Sequence, residues 1–268
     1  KLISSDYEED LNMLATLLSM PGLSELEDCQ EVVDPLTIYN ARVSFMAFLG
    51  RRLKKSLKTL LDRSRPSLGD SWPKGQGERK ITSLAWSWLA AAMDEESLDE
   101  AGGAVGGASM TLSQAGLKAL QPVDCNQRDV AMSLFYERWK DRPVTLDTWF
   151  FLEASTPRAN GLNNLQDLLD HPLFDHVAPN SLRAVLGGLV ANVPVFHSQD
   201  GIGYKFMSDQ LLIVDQRNPI TASRLVKVFS RWRCYEPQRK ERMFEALQTL
   251  SQAKLSTNTR EMVDLMIN

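Results

Sequence analysis

Apolar residues recur at helical spacing in one short segment after another along the 268-residue chain. Spacings of three and four residues place such side chains on one face of an α-helix. The first segment, residues 6–20, begins with Asp6 and acidic residues suited to a first helical turn. Further segments follow at residues 24–29, 35–60, 80–93, 124–139, 145–154, 163–170, 181–191, 204–214, 219–232, 237–250 and 260–267. The pattern therefore predicts an all-α protein.

The links between these segments are short, so consecutive helices are expected to pair in antiparallel fashion. Antiparallel pairs that recur every 35 to 45 residues or so are typical of HEAT and armadillo-like stacks. Each pair in such a stack buries its apolar face only against its neighbours. We therefore expect residues 1–268 to form a single domain, an α-solenoid or superhelix of antiparallel helix pairs, although no repeating sequence consensus is visible.

Two helix starts and a tight turn are marked in the stretch from residue 178 to 225. Asn180 and Asn218 each stand where a helix N-cap belongs, and Pro219 suits the first helical position because its φ is already helical. Between them, the sequence Asp200-Gly201-Ile202-Gly203 is typical of a turn. Apolar residues at helical spacing after this turn predict a further helix with Tyr204, Met207, Leu211 and Val214 on its buried face.

Composition excludes several classes of partner. A net charge of −4 and a pI near 5.5 argue against nucleic-acid binding, which normally needs a basic surface. No apolar run reaches the roughly 18 residues that a membrane span requires. The three cysteines are far apart and odd in number, which favours a reducing, cytoplasmic location. The basic runs at residues 51–58 and 231–242 are interpreted as solvated helix faces, the second one ion-paired with nearby glutamates.

Recognisable catalytic patterns are missing from the sequence. The three histidines, His171, His176 and His197, do not form the H-E-x-x-H pattern that places two zinc ligands and a base on one helix. The glycine run at residues 102–107 lacks the Lys-Ser/Thr of a phosphate-binding loop, and we predict a flexible loop there. We therefore expect no catalytic residue, metal ligand or cofactor site in this chain.

Paired sequence elements in the second half of the chain resemble a known family. Phe196, His197, Asp200, Gly201, Gly203 and Tyr204 match an F-H-x-x-D-G-x-G-Y element, and residues 218–225 match N-P-x-x-A-S-R-L. Both elements are similar to those of the C-terminal helical domain of bacterial aminopeptidase N, in the zinc-dependent alanyl aminopeptidase family. The segments 148–157 and 183–187 extend the resemblance, and weaker similarity reaches back to Asp34-Pro35.

The resemblance implies that this chain is one domain of a larger zinc aminopeptidase, whose zinc and catalytic base lie in a separate catalytic domain. The helical domain is then expected to cover the active site and to shape the chamber that peptide substrates enter. Its partners would be its own catalytic domain and those peptides. The alternative is a free-standing α-solenoid that binds a peptide or protein in its concave face.

Three residues match positions that face the substrate chamber in the family: Arg183, Ile220 and Arg224. A guanidinium offers a fixed fork of donors suited to a peptide carboxylate or carbonyl. Helical spacing places Arg183 away from the buried face of its helix, and Arg224 away from Leu225. Ile220 stands where the family often has glutamine, which removes an amide. An ordinary surface position or an interhelical salt bridge is an equally open interpretation of both arginines.

The residues Phe196, His197, Asp200, Gly201 and Tyr204 also allow two interpretations. In one, they form a loop presented towards the catalytic domain. In the other, they form a turn that connects two helices, in which the glycines adopt positive φ and Tyr204 packs inside. The two are compatible, because a rigid turn can also form part of a chamber wall.

Overall fold

The computed structural model describes residues 10–69 and 73–268, and over these residues the protein is almost entirely helical. The fifteen α-helices of the described part are Leu11–Leu18 (α1), Leu23–Glu27 (α2), Pro35–Ser64 (α3), Gln76–Ala91 (α4), Glu95–Val105 (α5), Met110–Leu120 (α6), Asn126–Trp139 (α7), Pro143–Ser155 (α8), Gly161–Leu169 (α9), Pro179–Ala191 (α10), Val193–Phe196 (α11), Ile202–Arg217 (α12), Pro219–Leu225 (α13), Pro237–Gln252 (α14) and Thr257–Ile267 (α15). Short 3-10 helices lie at Arg65–Ser67, Val226–Phe229 and Trp232–Cys234. The prediction of an all-α protein is confirmed.

The chain divides into two compact units. One contains the described part of Lys1–Gly22 together with Asn40–Arg138, and the other contains Leu23–Tyr39 and Trp139–Asn268.

The first unit packs α1, α4, α5 and α6 against one another. Leu14 of α1, Leu60 of α3 and Ile81 of α4 belong to one buried apolar cluster. Trp86 and Trp88 of α4 are also buried, as the apolar pattern of this segment predicted.

The second unit is built on α8 packed beside α10 and on α12, α13, α14 and α15 packed together. Tyr204, Met207, Leu211 and Val214 of α12 are all buried, which confirms the predicted face. The segment before α3 joins this unit through an isolated β-bridge, in which the Val33 amide donates to the Cys234 carbonyl over 2.9 Å. Outside this bridge, residues 10–69 and 73–268 contain no β-structure.

Side-chain caps define several helix starts as predicted. The Asn218 side chain accepts a hydrogen bond from the Thr221 amide at 3.0 Å and so caps α13. Asp34 accepts from the amides of Leu36 and Thr37 at the start of α3. Such bonds satisfy amides that have no partner within the helix.

Three local predictions differ from the structure, and a fourth falls outside the residues that the structure describes. Asn180 is not an N-cap: α10 begins at Pro179, and Asn180 lies inside its first turn. The glycine run is only partly a loop: residues 102–105 belong to α5, and Gly106 and Gly107 form the turn that follows it. The helix predicted through residue 232 ends at Leu225 and is followed by 3-10 turns. Asp6, the predicted start of the first helix, lies outside the described residues.

Candidate functional site

The turn between α11 and α12 is a packed aromatic group. His197 and Tyr204 are 5% and 0% exposed, and the His197 Nδ1 lies 2.7 Å from the Tyr204 hydroxyl. The Phe196 ring meets Tyr204 edge-on, with ring centroids 5.1 Å apart. Edge-to-face contacts of this kind stabilise aromatic clusters beyond the burial of their area. The structure therefore places Phe196, His197 and Tyr204 inside the unit, in agreement with the prediction of a turn in which Tyr204 packs inside.

Asp200 and Gly201 shape the outer part of the same turn. The Asp200 Oδ1 accepts from the Ser198 hydroxyl at 2.8 Å and from the Ile202 amide at 3.2 Å. Gly201 has a φ of +73°, a conformation that side-chain-bearing residues rarely adopt. A Cβ at Gly201 would also lie 2.9 Å from the Cβ of Arg242. The turn is thus held in one conformation by a short polar side chain and by a glycine.

Arg239 anchors this turn from behind. It is 3% exposed, and its Nε donates to the His197 carbonyl at 2.9 Å. Its Nη1 donates to the Glu236 carboxylate at 2.8 Å and to that of Asp34 at 3.3 Å. A buried guanidinium requires such partners, since an unpaired buried charge is costly.

Sequence reasoning missed Arg239, because it grouped this residue with the solvated basic face at residues 231–242. A signal was nevertheless present, since Arg239 lies on the same stripe of α14 as the buried Met243, Leu247 and Leu250. The ion pairing expected for this run is found at Arg239 with Glu236 and at Arg242 with Glu245.

Burial sets the protonation of the two polar rings in the turn. Desolvation, reinforced by the nearby Arg239 charge, lowers the pKa of His197 to about 3. Desolvation also raises the pKa of Tyr204 above its ordinary value. Both rings are therefore neutral at pH 7, and the contact between them is a hydrogen bond between uncharged groups.

The first turns of α8, α10 and α13 form an edge of the second unit, which we call the helix-start edge. The Ser181 hydroxyl donates to Asp147 at 2.7 Å near the starts of α10 and α8. At the other ends of these helices, the Asn192 side chain donates to the Thr156 carbonyl at 2.9 Å, so α8 and α10 run in the same direction. The Asn218 amide donates to the Val177 carbonyl at 2.9 Å and brings the start of α13 to the same edge.

The three residues predicted to face a substrate are all exposed: Arg183 and Ile220 lie at the helix-start edge, and Arg224 lies in the last turn of the short helix α13. Arg183 is exposed, with its Nε donating to the Pro179 carbonyl at 3.0 Å and its Nη2 to the Asn180 side chain at 2.7 Å. Ile220 is 59% exposed, and Arg224 is exposed as well. Within residues 10–69 and 73–268 neither arginine pairs with a carboxylate, so the interhelical salt bridge is not what the structure contains. An ordinary surface position remains compatible with their exposure.

A cleft of about 550 Å³ opens at this edge. It is lined by the start of α8, by the segment that includes Leu173 and Asp175, and by the first turn of α10 up to Arg183. Ile220 and Arg224 are not among its lining residues. The structure thus brings Arg183 to the cleft, and it places Ile220 in the first turn and Arg224 in the last turn of the neighbouring α13. The aromatic turn at Phe196–Tyr204 belongs to other elements of the unit.

His171 and His176 each pack against a phenylalanine ring. His171 packs edge-on against Phe150, its Nδ1 accepts from the Leu173 amide at 3.1 Å, and burial lowers its pKa. His176 packs against Phe174. In the part of the chain that the structure describes, no three His, Cys, Asp or Glu side chains are grouped so that they could hold a metal ion. The same part contains no helix that is both long and apolar enough to cross a membrane.

Comparisons with known proteins connect this architecture to bacterial aminopeptidases. Aminopeptidase N of Escherichia coli (strain K12) is 27% identical over 253 residues, and that of Caulobacter vibrioides (strain ATCC 19089 / CIP 103742 / CB 15) is 30% identical over 256 residues. These alignments cover 91% and 92% of this chain. The chain spans only 28% and 29% of the length of those two relatives.

A solved structure leads to the same group of proteins. The crystal structure of Legionella pneumophila aminopeptidase A in complex with aspartic acid superposes with a TM-score of 0.89 at 27% identity. The superposition covers 99% of this chain and 32% of the Legionella chain. The profile of the family described as "Domain of unknown function (DUF3458_C) ARM repeats" matches residues 1–268. The chain therefore belongs to the DUF3458_C family of ARM-repeat domains, and its resemblance to the C-terminal helical domain of bacterial aminopeptidase N is confirmed.

Proposed function

We propose that this chain is the C-terminal helical domain of a larger, cytoplasmic zinc aminopeptidase, which hydrolyses N-terminal residues from peptides. In this proposal residues 1–268 are a single domain that covers the active site and forms part of the substrate chamber. The support comes from relatives named aminopeptidase N that are more than three times longer than the matched region. The wide spacing of the three cysteines supports the cytoplasm as its location.

The described residues do not fit a zinc site, since no suitable group of ligands occurs among them. We therefore assign the metal and the general base to a different domain of the full-length protein. No chemical step of hydrolysis is assigned to this chain. Its contribution to the reaction is to bind and orient the part of the peptide that lies beyond the cleaved bond.

The observation that carries this proposal is the pair of exposed arginines, Arg183 near the start of α10 and Arg224 in the last turn of α13. The amide groups at a helix start bear a partial positive charge, which attracts carbonyl oxygens and carboxylates. Arg183 and Arg224 add positively charged groups, and neither forms an ion pair with a carboxylate of the described residues. Exposed guanidinium groups of this kind suit the downstream carbonyls and the terminal carboxylate of a peptide.

The experiment is steady-state kinetics of the full-length protein carrying Arg224→Ala. We expect kcat/KM for a four-residue alanyl peptide to fall about tenfold, because one charge-assisted contact is worth on the order of 1.5 kcal/mol. The turnover of an alanyl chromogenic amide should be unchanged, since this substrate has no downstream residues. Arg63→Ala, at an exposed position of α3, serves as the control and should affect neither substrate. Equal losses for the peptide and the amide would remove the substrate role of Arg224.

The alternative function is that of a free-standing scaffold that binds peptides or proteins. The cleft at the helix-start edge favours this alternative, because a cleft can bind a ligand without an attached catalytic domain. The gene discriminates between the two functions: an H-E-x-x-H sequence upstream of this region supports the aminopeptidase. A gene that begins near Lys1 supports the scaffold.

A further inference from the structure

The cleft at the helix-start edge has apolar walls that are open to solvent. Val144, in the first turn of α8, is 77% exposed, and Leu173, which also lines the cleft, is 46% exposed. Pro143 and Ala178 continue the apolar surface between them. Apolar side chains that converge on a concave surface mark a place where another apolar group gains free energy by leaving water.

The charged groups of the cleft balance one another. Lys140 and Arg183 contribute two positive charges, and Asp147 and Asp175 contribute two negative charges. A cleft without net charge does not select a ligand by overall charge. Its selectivity must come from its apolar walls and from the position of individual polar groups.

The carboxylates of Asp147 and Asp175 both accept hydrogen bonds from the protein itself. Asp147 accepts the Ser181 hydroxyl at 2.7 Å. Asp175 accepts the amides of Val177 and Ala178 at 2.8 and 2.9 Å, and these two hydrogen bonds lower its pKa. Each carboxylate thereby holds the chain that leads into α10 or its first turn.

The guanidinium of Arg183 is only partly engaged. Its Nε and Nη2 bond within the first turn of α10, which orients the planar group. Its Nη1 donates to no atom of residues 10–69 or 73–268. An oriented guanidinium with free donors at the rim of an apolar cleft is suited to a carboxylate that stands beside an apolar side chain.

We propose that this cleft is a specificity subsite for a bulky apolar residue at the C-terminal end of a peptide. The side chain of that residue lies between Val144 and Leu173, and its terminal carboxylate accepts from Nη1 of Arg183. The inference rests on the proposed function in that the ligand is a peptide. It goes further by naming the class of the peptide's C-terminal residue. It also assigns selectivity to Val144 and Leu173, which have no part in the contacts proposed for Arg183 and Arg224.

The test is a titration of the 268-residue chain, followed by NMR, with the peptides Ala-Ala-Phe, Ala-Ala-Ala and Ala-Ala-Phe amide. We expect Ala-Ala-Phe to bind about tenfold more tightly than Ala-Ala-Ala, since an apolar pocket discriminates to about this extent. In Val144→Ser and Leu173→Ser this preference should shrink to less than about threefold. In Arg183→Gln the preference for the free acid over the amide should disappear, while the preference for phenylalanine over alanine stays.

Leu265→Ser is the matched control. Leu265 is 66% exposed on α15 and does not line the cleft, so this variant should retain both preferences. Equal affinity for the three peptides, the absence of saturable binding, or preferences that survive in Val144→Ser and Leu173→Ser would each overturn the proposal. The kinetic effect of Arg224→Ala in the full-length protein is a separate measurement. If that effect is found and the peptide preferences are not, the subsite fails and the chamber function stands.

Discussion

At the scale of single residues, Gly201 has the most demanding position in the turn before α12. Its φ of +73° costs about 1–2 kcal/mol for any residue with a Cβ, and that Cβ would meet the stem of Arg242 at 2.9 Å. We therefore expect Gly201→Ala to lower the free energy of unfolding by about 1–3 kcal/mol, measured by urea denaturation.

Gly187 provides the matched control for this change. It lies in α10, and a Cβ built there would meet nothing within 4 Å. Alanine is favoured over glycine inside a helix, so Gly187→Ala should be neutral or stabilising by up to about 1 kcal/mol. A Gly201→Ala variant as stable as Gly187→Ala would contradict the strained position assigned to Gly201.

His197 makes a second prediction at this scale, concerning pH. Its pKa in the folded protein is about 3, below the 6.5 of an unperturbed histidine, because burial opposes the charged form. Below pH 6.5 the His197 ring of the unfolded chain binds a proton, whereas that of the folded chain does not. The free energy of unfolding therefore falls as the pH drops from 6.5 towards 3. The loss from this group approaches about 1.4 kcal/mol per pH unit within that window.

The measurement is the free energy of unfolding between about pH 7 and about pH 5, where most carboxylates stay ionised. His197→Gln should flatten the decline, because glutamine does not titrate. His176→Gln, the same substitution at an exposed histidine, is the matched control. If His197→Gln has the same slope as the unaltered protein, the burial assigned to the His197 ring is wrong.

At the scale of elements, α5 shows why a run of glycines can still be helical. Its start is capped by Asp94, whose carboxylate accepts from the Ser97 amide at 3.2 Å, and Glu95 and Glu96 suit the positive end of the helix. The helix packs closely against α6, where a Cβ at Gly116 would lie 2.2 Å from the Ala101 carbonyl oxygen. Capping and packing together outweigh the poor helix propensity of glycine.

Two substitutions separate packing from propensity in this pair of helices. Gly103 has nothing within 4 Å of a built Cβ, so Gly103→Ala should raise the free energy of unfolding by about 0.5–1 kcal/mol. Gly116→Ala should instead destabilise by about 2 kcal/mol or more, because α5 and α6 must move apart. Thermal unfolding of both variants beside the unaltered chain tests this. A destabilised Gly103→Ala would contradict the helical, uncrowded position assigned to Gly103 in α5.

At the scale of the whole molecule, the proposed division of labour predicts where zinc and activity reside. We expect the full-length protein to bind zinc and to hydrolyse an alanyl chromogenic amide, and a chelator to abolish this activity. The 268-residue chain, assayed beside it with the same substrate, should neither retain zinc in stoichiometric amount nor turn over. Stoichiometric zinc and cleavage by the chain alone would show that the metal ligands lie within it and would overturn the domain assignment.

Much of the fold could be predicted because its signals are local. Asn218 caps α13 through an amide three residues away, and the buried face of α12 follows from the spacing of Tyr204, Met207 and Leu211. Arg183 was likewise predicted to lie off the apolar stripe of its helix, and it is exposed. Each of these features depends on interactions within about one helical turn.

Two predictions failed, one where local signals compete with each other and one where a distant segment decides. Asn180 is a good capping residue, yet Pro179 begins the helix one position earlier, and the Asn180 side chain instead accepts from Arg183. Arg239 resembles its solvated basic neighbours in sequence, but it is buried against a carbonyl 42 residues away and a carboxylate 205 residues away.

The sequence by itself therefore determined the helical class, the main helix starts, the turn at Gly201 and the family resemblance, because these depend on residue type and on spacing along the chain. Only the tertiary structure decided that Arg239 is buried, that the glycine run is helical through Val105, and that α8 and α10 run in the same direction to form a cleft beside Arg183. These features arise from contacts between helices far apart in the chain. Periodicity identifies the face that a helix buries, but not the neighbour that it is buried against.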